Sequence, residues 1–265
     1  MSYKGIDTAA RISADAAKKL KALGVSFAGR YLVPPGMNKE LTADEAKGLL
    51  DAGLSILLCW EIDAARAGRG APVGSRDGAQ ARQLAQDMGV PPGTAIFFAV
   101  DYAPQRPEYD LIREYFLAAQ AAVAPYRCGI YGPFDVVEEM KKHIPQLLIW
   151  QCVGWSAGRI SDKLNFYQRL WSGAAECREI QAQVGFAVDL DAGESLDGLW
   201  QPEPEKPWYA DAMAWAESAG LIRDGRPNDP VTRAELATVL YRLYGPEDNK
   251  TASGLLTEEG GQDEL

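Results

Sequence analysis

The sequence predicts an α/β fold: a closed (β/α)8 barrel of the TIM type, followed by a small C-terminal helical module. Eight short apolar segments alternate with helical patterns along the first 200 of the 265 residues. Four of these segments stop on an acidic residue. Small residues share the strand face of those acids, which is typical of a closed barrel with small side chains inside. A doubly wound parallel sheet is the alternative that the same alternation allows.

The barrel elements follow in order from the hydrophobic pattern of residues 1–200. Predicted strands cover residues 5–7, 27–31, 57–61, 97–101, 127–131, 147–152, 179–184 and 188–191. Predicted helices cover residues 13–23, 42–52, 75–88, 109–124 and 134–142, with a weaker helical pattern at 162–171. About 200 residues is the lower size limit of an eight-stranded barrel of this type. Some helices, especially after strand seven, must therefore be short or missing.

Three further segments follow the barrel. Residues 201–207 alternate proline with charge and are expected to form a stiff linker. Residues 208–245 have the pattern of two helices, and Thr232 is the predicted cap of the second one. Residues 246–265 are acidic and poor in apolar side chains, so we expect a disordered tail.

Composition and charge exclude several classes of function. The net charge of −10 argues against a nucleic-acid partner. No apolar stretch reaches the roughly 18 residues of a membrane span, and we expect neither membrane insertion nor a signal peptide. The single histidine, His143, precedes Pro145 at a predicted helix end, which disfavours histidine-based nucleophilic catalysis and metal hydrolysis. We expect no metal and no cofactor.

Four acids are predicted to be catalytic: Asp7, Glu61, Asp101 and Asp189. Each stands where an apolar strand ends, and the carboxyl ends of parallel strands meet at one rim. Neighbouring strands lie about 4.8 Å apart, so the carboxylates of Glu61 and Asp101 are expected within roughly 5–6 Å of each other. Like charges at that distance raise one pKa and leave the other group ionised, as a glycosidase requires. The alternative is that single acids cap helices or pair with an arginine such as Arg30.

Aromatic and polar side chains are expected on the same rim. Aromatic faces stack on sugar rings, while tyrosine and glutamine tips hydrogen-bond hydroxyl and acetamido groups. The predicted substrate-binding residues are Arg30, Tyr31, Tyr102, Tyr131, Trp150, Gln151 and Asp191. Trp155 falls on the same predicted rim. A single aromatic residue is more often ordinary packing, so this set supports a carbohydrate cleft only as a group.

Five motifs follow each other in an order that resembles a known family. They are Gly5-Ile6-Asp7, Phe98-Ala99-Val100-Asp101, Gly129-Ile130-Tyr131-Gly132, Trp150-Gln151 and Val188-Asp189-Leu190-Asp191. Over nearly all of residues 1–200 the chain resembles the glycoside-hydrolase-like domain of unknown function that is related to family 25 lysozymes. The resemblance implies a (β/α)8 barrel. It also implies cleavage of the bond between N-acetylmuramic acid and N-acetylglucosamine in peptidoglycan.

The chain departs from these lysozymes at the end of strand four, where they carry Asp-x-Glu. Here the motif is Asp101-Tyr102-Ala103, so the family's catalytic glutamate has no counterpart at its own position. Geometry makes Glu61, one strand earlier, the candidate proton donor. Asp101 is then nucleophile, base or electrostatic partner. Asp7 and Asp189 are expected to orient water and the sugar.

The C-terminal module resembles a single S-layer homology repeat. The resemblance rests on Trp208-Tyr209-Ala210-Asp211, Trp215-Ala216, Gly220-Leu221-Ile222, Asp224-Gly225, Pro227-Asn228 and Thr232-Arg233-Ala234-Glu235. It implies binding to anionic cell-wall polysaccharide, with Arg233 at the basic position that contacts the polymer. Such repeats usually work in threes, so one expectation is a homotrimer. The other is a single repeat that binds weakly or only mediates contacts.

Together these patterns predict a bacterial cell-wall glycoside hydrolase of the phage or prophage endolysin type. It would hydrolyse N-acetylated glycan strands with carboxylates, take peptidoglycan as its partner, and reach the wall during lysis. The alternative is a catalytically inactive barrel that binds wall glycan and is anchored or oligomerised by the C-terminal module.

Overall fold

The computed structural model describes residues 3–204, 207, 209–218, 230 and 232–244. The chain divides into two compact units, Met1–Glu203 and Pro204–Leu265. The strands of the first unit are β1 (Tyr3–Asp7), β2 (Val25–Tyr31), β3 (Ser55–Trp60), β4 (Ala95–Ala99), β5 (Arg127–Gly132), β6 (Leu148–Cys152), β7 (Phe166–Leu170) and β8 (Asp189–Gly193). Its α-helices are α1 (Ala14–Ala22), α2 (Ala43–Asp51), α3 (Ala71–Asp87), α4 (Tyr109–Val123), α5 (Phe134–His143) and α6 (Ala175–Val184).

The eight strands close into a barrel in sequence order, which confirms the predicted fold class and excludes the doubly wound sheet. Strands β1 to β7 pair in parallel, so their carboxyl ends share one rim. Strand β8 runs antiparallel to both β7 and β1. Asp189 opens β8 and lies opposite Asp7 in the register. The reversed strand therefore begins at the rim where β1 ends.

The predicted weak helix at residues 162–171 is wrong, because residues 166–170 form strand β7. Phe166 and Gln168 are buried while Tyr167 is only partly buried, which is the alternation of a strand. The polar residues of this segment hid that alternation in the sequence. The helix missing from the barrel is the one between β6 and β7, since residues 153–165 contain none.

The predicted strand at residues 179–184 is also wrong, because these residues belong to helix α6. Cys177 and Ile180 are its buried side chains, and they lie three residues apart on one helix face. Its polar side chains, among them Arg178, Glu179 and Gln181, are exposed. The alternation of polar and apolar residues over 179–184 did not distinguish a strand from the end of this helix.

Two layers of apolar residues form the core of the first unit, one between the strands and the helices and one inside the barrel. The interior contains large aromatic rings, so the expectation of small side chains inside is wrong in part. Glycines at paired positions on neighbouring strands provide the space. A methyl group on Gly5 would lie 2.2 Å from the Phe27 ring. Three pairs share this arrangement: Gly5 with Phe27, Gly129 with Phe97, and Gly193 with Phe166.

The described part of the second unit contains α7 (Ala210–Ser218) and α8 (Arg233–Tyr244). Helix α8 begins directly after Thr232, the position that the capping pattern predicts. The predicted tail at residues 246–265, residues 219–229 of the predicted repeat and Trp208 all lie outside the described residues. Among the residues that are described, no helix has the length and apolar character needed to cross a membrane.

Candidate active site

A cavity of about 260 Å³ opens at the rim where β1 to β7 end. The sequence-predicted residues that line it are Asp7, Tyr31, Glu61, Asp101, Tyr131, Trp150 and Asp189. The barrel thus brings together four acids that are separated by up to 182 positions in the chain, from Asp7 to Asp189. Within the described residues, no group of three or more His, Cys, Asp or Glu side chains is arranged to hold a metal ion.

Gln168 connects the acids on opposite sides of the barrel seam between β1 and β8. Its Nε2 donates to Asp7 Oδ2 at 2.8 Å and to Asp189 Oδ2 at 3.1 Å. The Tyr131 hydroxyl donates to Gln168 Oε1 at 3.1 Å, which sets the orientation of the amide. The backbone N–H of Ser172 donates to Asp189 Oδ1 at 2.6 Å. Sequence reasoning missed Gln168 because it placed this segment in a helix.

Asp191 lies behind Asp7, away from the cavity wall. Because β8 is reversed, Asp191 pairs with Gly5 and is fully buried two residues deeper than Asp189. Trp150 Nε1 donates to Asp191 Oδ1 at 2.8 Å, while Asp191 Oδ2 has no donor within reach. Burial, and then the charge of Asp7, raise the pKa of Asp191 well above its usual range.

Asp7 and Asp191 form a carboxyl pair that holds a proton. Burial, followed by the charge of Asp189, raises the pKa of Asp7 to about 7, while hydrogen bonds from Gln168 and Asp191 oppose the rise. The raised pKa keeps Asp191 neutral, and its hydrogen bond to Asp7 favours the Asp7 carboxylate. Asp191 is fully buried and does not line the cavity, so the prediction that it contacts the substrate directly is corrected.

Asp101 and Glu61 lie on adjacent loops that are tied together. The backbone N–H of Asp101 donates to the Ala64 carbonyl at 3.2 Å, which joins the loop after β4 to the loop after β3. Burial, and then the charge of Glu61, raise the pKa of Asp101 to about 6. Asp101 is partly exposed at the cavity, so its proton can reach a ligand.

Glu61 is paired with Lys39, which sequence reasoning missed. Lys39 Nζ lies 3.1 Å from Glu61 Oε1, and both side chains are largely buried. An ammonium at this distance favours the ionised carboxylate. The sequence-based hypothesis of Glu61 as the proton donor did not include this ion pair.

Arg30 does not reach the cavity, which corrects its prediction as a substrate-binding residue. Its side chain is fully buried on the outer face of β2, where Nε donates to Glu45 Oε1 at 2.7 Å. It also donates to the backbone carbonyl of Thr8, the residue after Asp7. Arg30 thereby holds the end of β1 in place. The alternation of β2 places Arg30 and Tyr31 on opposite faces, and only Tyr31 faces the cavity.

Gln151 and Tyr102 also lie outside the cavity wall. Gln151 is fully buried, donates to the Arg159 carbonyl at 2.9 Å and accepts from the Ser161 N–H at 2.9 Å. It organises the long loop between β6 and β7. The Tyr102 hydroxyl donates to Glu108 Oε1 at 2.9 Å. Both predictions of substrate contact are corrected to structural roles, because local sequence does not show which face of a strand end meets the barrel axis.

Two exposed tryptophans border the acids. Trp155 is 52% exposed and Trp171 is 64% exposed, and both line the cavity. The Trp171 indole lies directly against Gly173, where a methyl group would be 2.0 Å from the ring. The indole is therefore held against the backbone at Gly173. Aromatic rings held in this way offer a flat apolar surface to a ligand.

The comparison with protein families agrees with this geometry. Residues 18–194 match the family described as Rv2525c-like, glycoside hydrolase-like domain. The chain belongs to this family. The match includes the rim acids Glu61, Asp101 and Asp189 and ends before the second unit.

Relatives by sequence and solved structures resemble this chain. The uncharacterized protein FadG of Bacillus subtilis is 28% identical over 153 residues, which are 52% of this chain and 26% of FadG. The chain spans about a quarter or less of the curated relatives that it matches. The Tat-secreted protein Rv2525c of Mycobacterium tuberculosis has a TM-score of 0.63 at 22% identity, over 75% of this chain and 98% of that one. The autolysin LytC of Streptococcus pneumoniae, solved with a synthetic peptidoglycan ligand, has a TM-score of 0.51 at 15% identity, over 72% and 46% of the chains. These structures share the fold.

Proposed function

We propose that the barrel is a glycoside hydrolase of bacterial cell-wall peptidoglycan. The observation that supports this most is the charge arrangement of one cavity. Asp101 keeps its proton up to about pH 6, because its pKa is raised to about 6, while Glu61 forms an ion pair with Lys39. A proton donor next to fixed carboxylates is the arrangement that hydrolysis of a glycosidic bond needs.

Asp101 protonates the glycosidic oxygen as the bond breaks, because its pKa is raised and, unlike Asp7, it is partly exposed at the cavity. Glu61 and Asp189 supply negative charge that stabilises the positively charged sugar in the transition state. Asp189 is oriented for this by the Ser172 N–H and by Gln168. Asp7 shares Gln168 with Asp189, and the pair orients water or the acetamido group of the substrate.

The proposed activity is tested with the full chain and purified, insoluble peptidoglycan. We expect soluble fragments with new reducing ends, and mass spectrometry of these fragments identifies which sugar carries the reducing end. Boiled protein measures the background. Retention of the chain on the wall without any soluble fragment would contradict hydrolysis.

Removal of the exposed indole is expected to weaken glycan binding. Trp171→Ala should raise the Kd for soluble wall fragments about tenfold, since a lost stacking contact is worth about 1.4 kcal/mol. Gly173→Ala should act in the same direction, because its methyl group displaces the ring. The matched control is Leu117→Ala on α4, an apolar side chain of the barrel that is 49% exposed and does not line the cavity. Calorimetry measures the Kd, and equal losses in Trp171→Ala and Leu117→Ala would disprove a specific stacking site.

A second candidate function is glycan binding without hydrolysis. The observation in its favour is Ala103, which stands where the family 25 lysozymes carry the glutamate of Asp-x-Glu. Under this proposal the same tryptophans and acids hold the glycan, and the bond stays intact. The release assay separates the two functions, because only hydrolysis produces reducing ends.

The second unit is proposed to hold the wall. Its resemblance to an S-layer homology repeat and the exposed Arg233 at the start of α8 support contact with anionic polysaccharide. We propose action at the bacterial wall in the manner of an endolysin, with a homotrimer adding avidity. Light scattering of the full chain measures the number of copies directly.

A further inference from the structure

Lys39 occupies a defined position beside the acids. It lies in the loop between β2 and α2, and its Nζ is 4.4 Å from the centroid of the Tyr31 ring. The same Nζ is 3.1 Å from Glu61 Oε1, and the exposed fractions of the two side chains are 20% and 13%. An ammonium held by a ring face and a carboxylate in a partly buried site is more strongly fixed than one in a surface ion pair.

We propose that Lys39 is a positioning residue of the carboxylate site: seated on Tyr31, it holds the Glu61 carboxylate and offsets its charge beside Asp101. The catalytic consequence rests on the proposed glycosidase function, whereas the electrostatic role does not. Lys39 does not touch the reacting atoms in this role. It acts through Glu61.

The charges around Asp101 support this role. The charges of Glu61 and Asp189 raise the pKa of Asp101, while the charge of Lys39 lowers it. The other titratable groups that interact with Asp101 are Asp7 of β1, Tyr31 of β2, Cys59 of β3, Tyr131 of β5 and Cys152 of β6. Of all these groups, Lys39 alone is cationic. Loss of its charge therefore leaves the repulsion between the carboxylates without compensation.

The two partners of the ion pair give opposite expectations. Without the charge of Lys39, the pKa of Asp101 should rise above its value of about 6, since the charge of Glu61 is then no longer offset. Without the charge of Glu61, the pKa of Asp101 should fall. A general disturbance of the loop would move both variants in the same direction, so the opposite signs identify the electrostatic role.

The test is a titration of side-chain carboxyl carbons by NMR in the full chain, with Asp101→Asn used to assign the Asp101 signal. We expect a midpoint near the wild-type value for Lys39→Arg, a midpoint higher by about one pH unit for Lys39→Met, and a lower midpoint for Glu61→Gln. Lys47→Met is the matched control, because Lys47 pairs with Asp51 at the surface at 2.6 Å, and it should leave the midpoint unchanged.

An unchanged or lowered Asp101 midpoint in folded Lys39→Met would overturn the proposal. Circular dichroism establishes folding, and Glu61→Gln tests the same coupling if the lysine variant does not fold. A midpoint that moves as expected in a protein that releases no reducing ends would leave the role of Lys39 standing and disprove only the glycosidase function. If hydrolysis occurs, the loss of rate at high pH should move upwards in Lys39→Met together with the NMR midpoint.

Discussion

Asp101→Asn is expected to lower the rate of glycan hydrolysis by roughly 10²–10⁴-fold, the usual contribution of a general acid. Asparagine keeps the shape of the side chain but has no proton to give to the leaving oxygen. Binding should persist, because Trp155, Trp171 and the remaining acids still line the cavity. The wild-type rate should also fall as the pH rises through about 6, since the raised pKa of Asp101 sets where the proton is lost.

Release of reducing ends and retention on insoluble walls are measured on the same variants. Glu61→Gln is expected to keep more activity than Asp101→Asn, because Glu61 supplies charge rather than the proton. Asp51→Asn is the matched control, since Asp51 lies on α2 with a side chain that is 62% exposed. If Glu61→Gln were inactive and Asp101→Asn fully active, the proton donor would be Glu61, as the sequence alone suggested.

Asp191→Asn is expected to stabilise the folded protein at alkaline pH. The pKa of Asp191 is raised by burial and by Asp7, so the folded state binds a proton that the unfolded state releases above its ordinary carboxyl pKa. Below that pKa both states are protonated and the cost vanishes. Between the ordinary carboxyl pKa and the raised pKa of Asp191, the free energy of unfolding falls as the pH rises. Above the raised pKa, Asp191 causes no further change. The amide of asparagine replaces the neutral acid without this cost, donating to Asp7 and accepting from Trp150.

The expected gain in the free energy of unfolding is present at pH 8 and close to zero at pH 3. Urea unfolding at the two pH values measures it, with the tryptophan fluorescence of the barrel as the signal. The control Asp51→Asn should differ from wild type by less than about 1 kcal/mol at both pH values. A variant Asp191→Asn that is less stable than wild type at pH 8 would show that Asp191 is ionised in the folded state.

Strands β1 to β6 could be predicted because their signals are local. Each of the first four strands is a short apolar run between helical patterns, and Asp7, Glu61 and Asp101 stand at their ends. In a parallel sheet, consecutive strand ends must meet at one rim, so the acids had to converge. Tyr31, Tyr131 and Trp150 followed from the same argument, and all three line the cavity.

The later part of the barrel could not be predicted in this way. Strand β7 carries polar residues because its inner side chain, Gln168, serves the acids rather than the core. The direction of β8 has no local signal, yet it decides that Asp189 reaches the cavity while Asp191 lies beneath Asp7. Both features arise from pairing between segments that are far apart in the chain.

The sequence by itself determined that this protein is an alternating α/β barrel whose strand ends carry acids and aromatic rings, because hydrophobic period and strand-end chemistry are written within a few residues. Only the tertiary structure decided the charge state of those acids. The contact of Lys39 with Glu61 and that of Asp191 with Asp7 depend on loop paths and strand direction. Protonation depends on burial and on charges within a few ångströms, and neither quantity is encoded by local pattern.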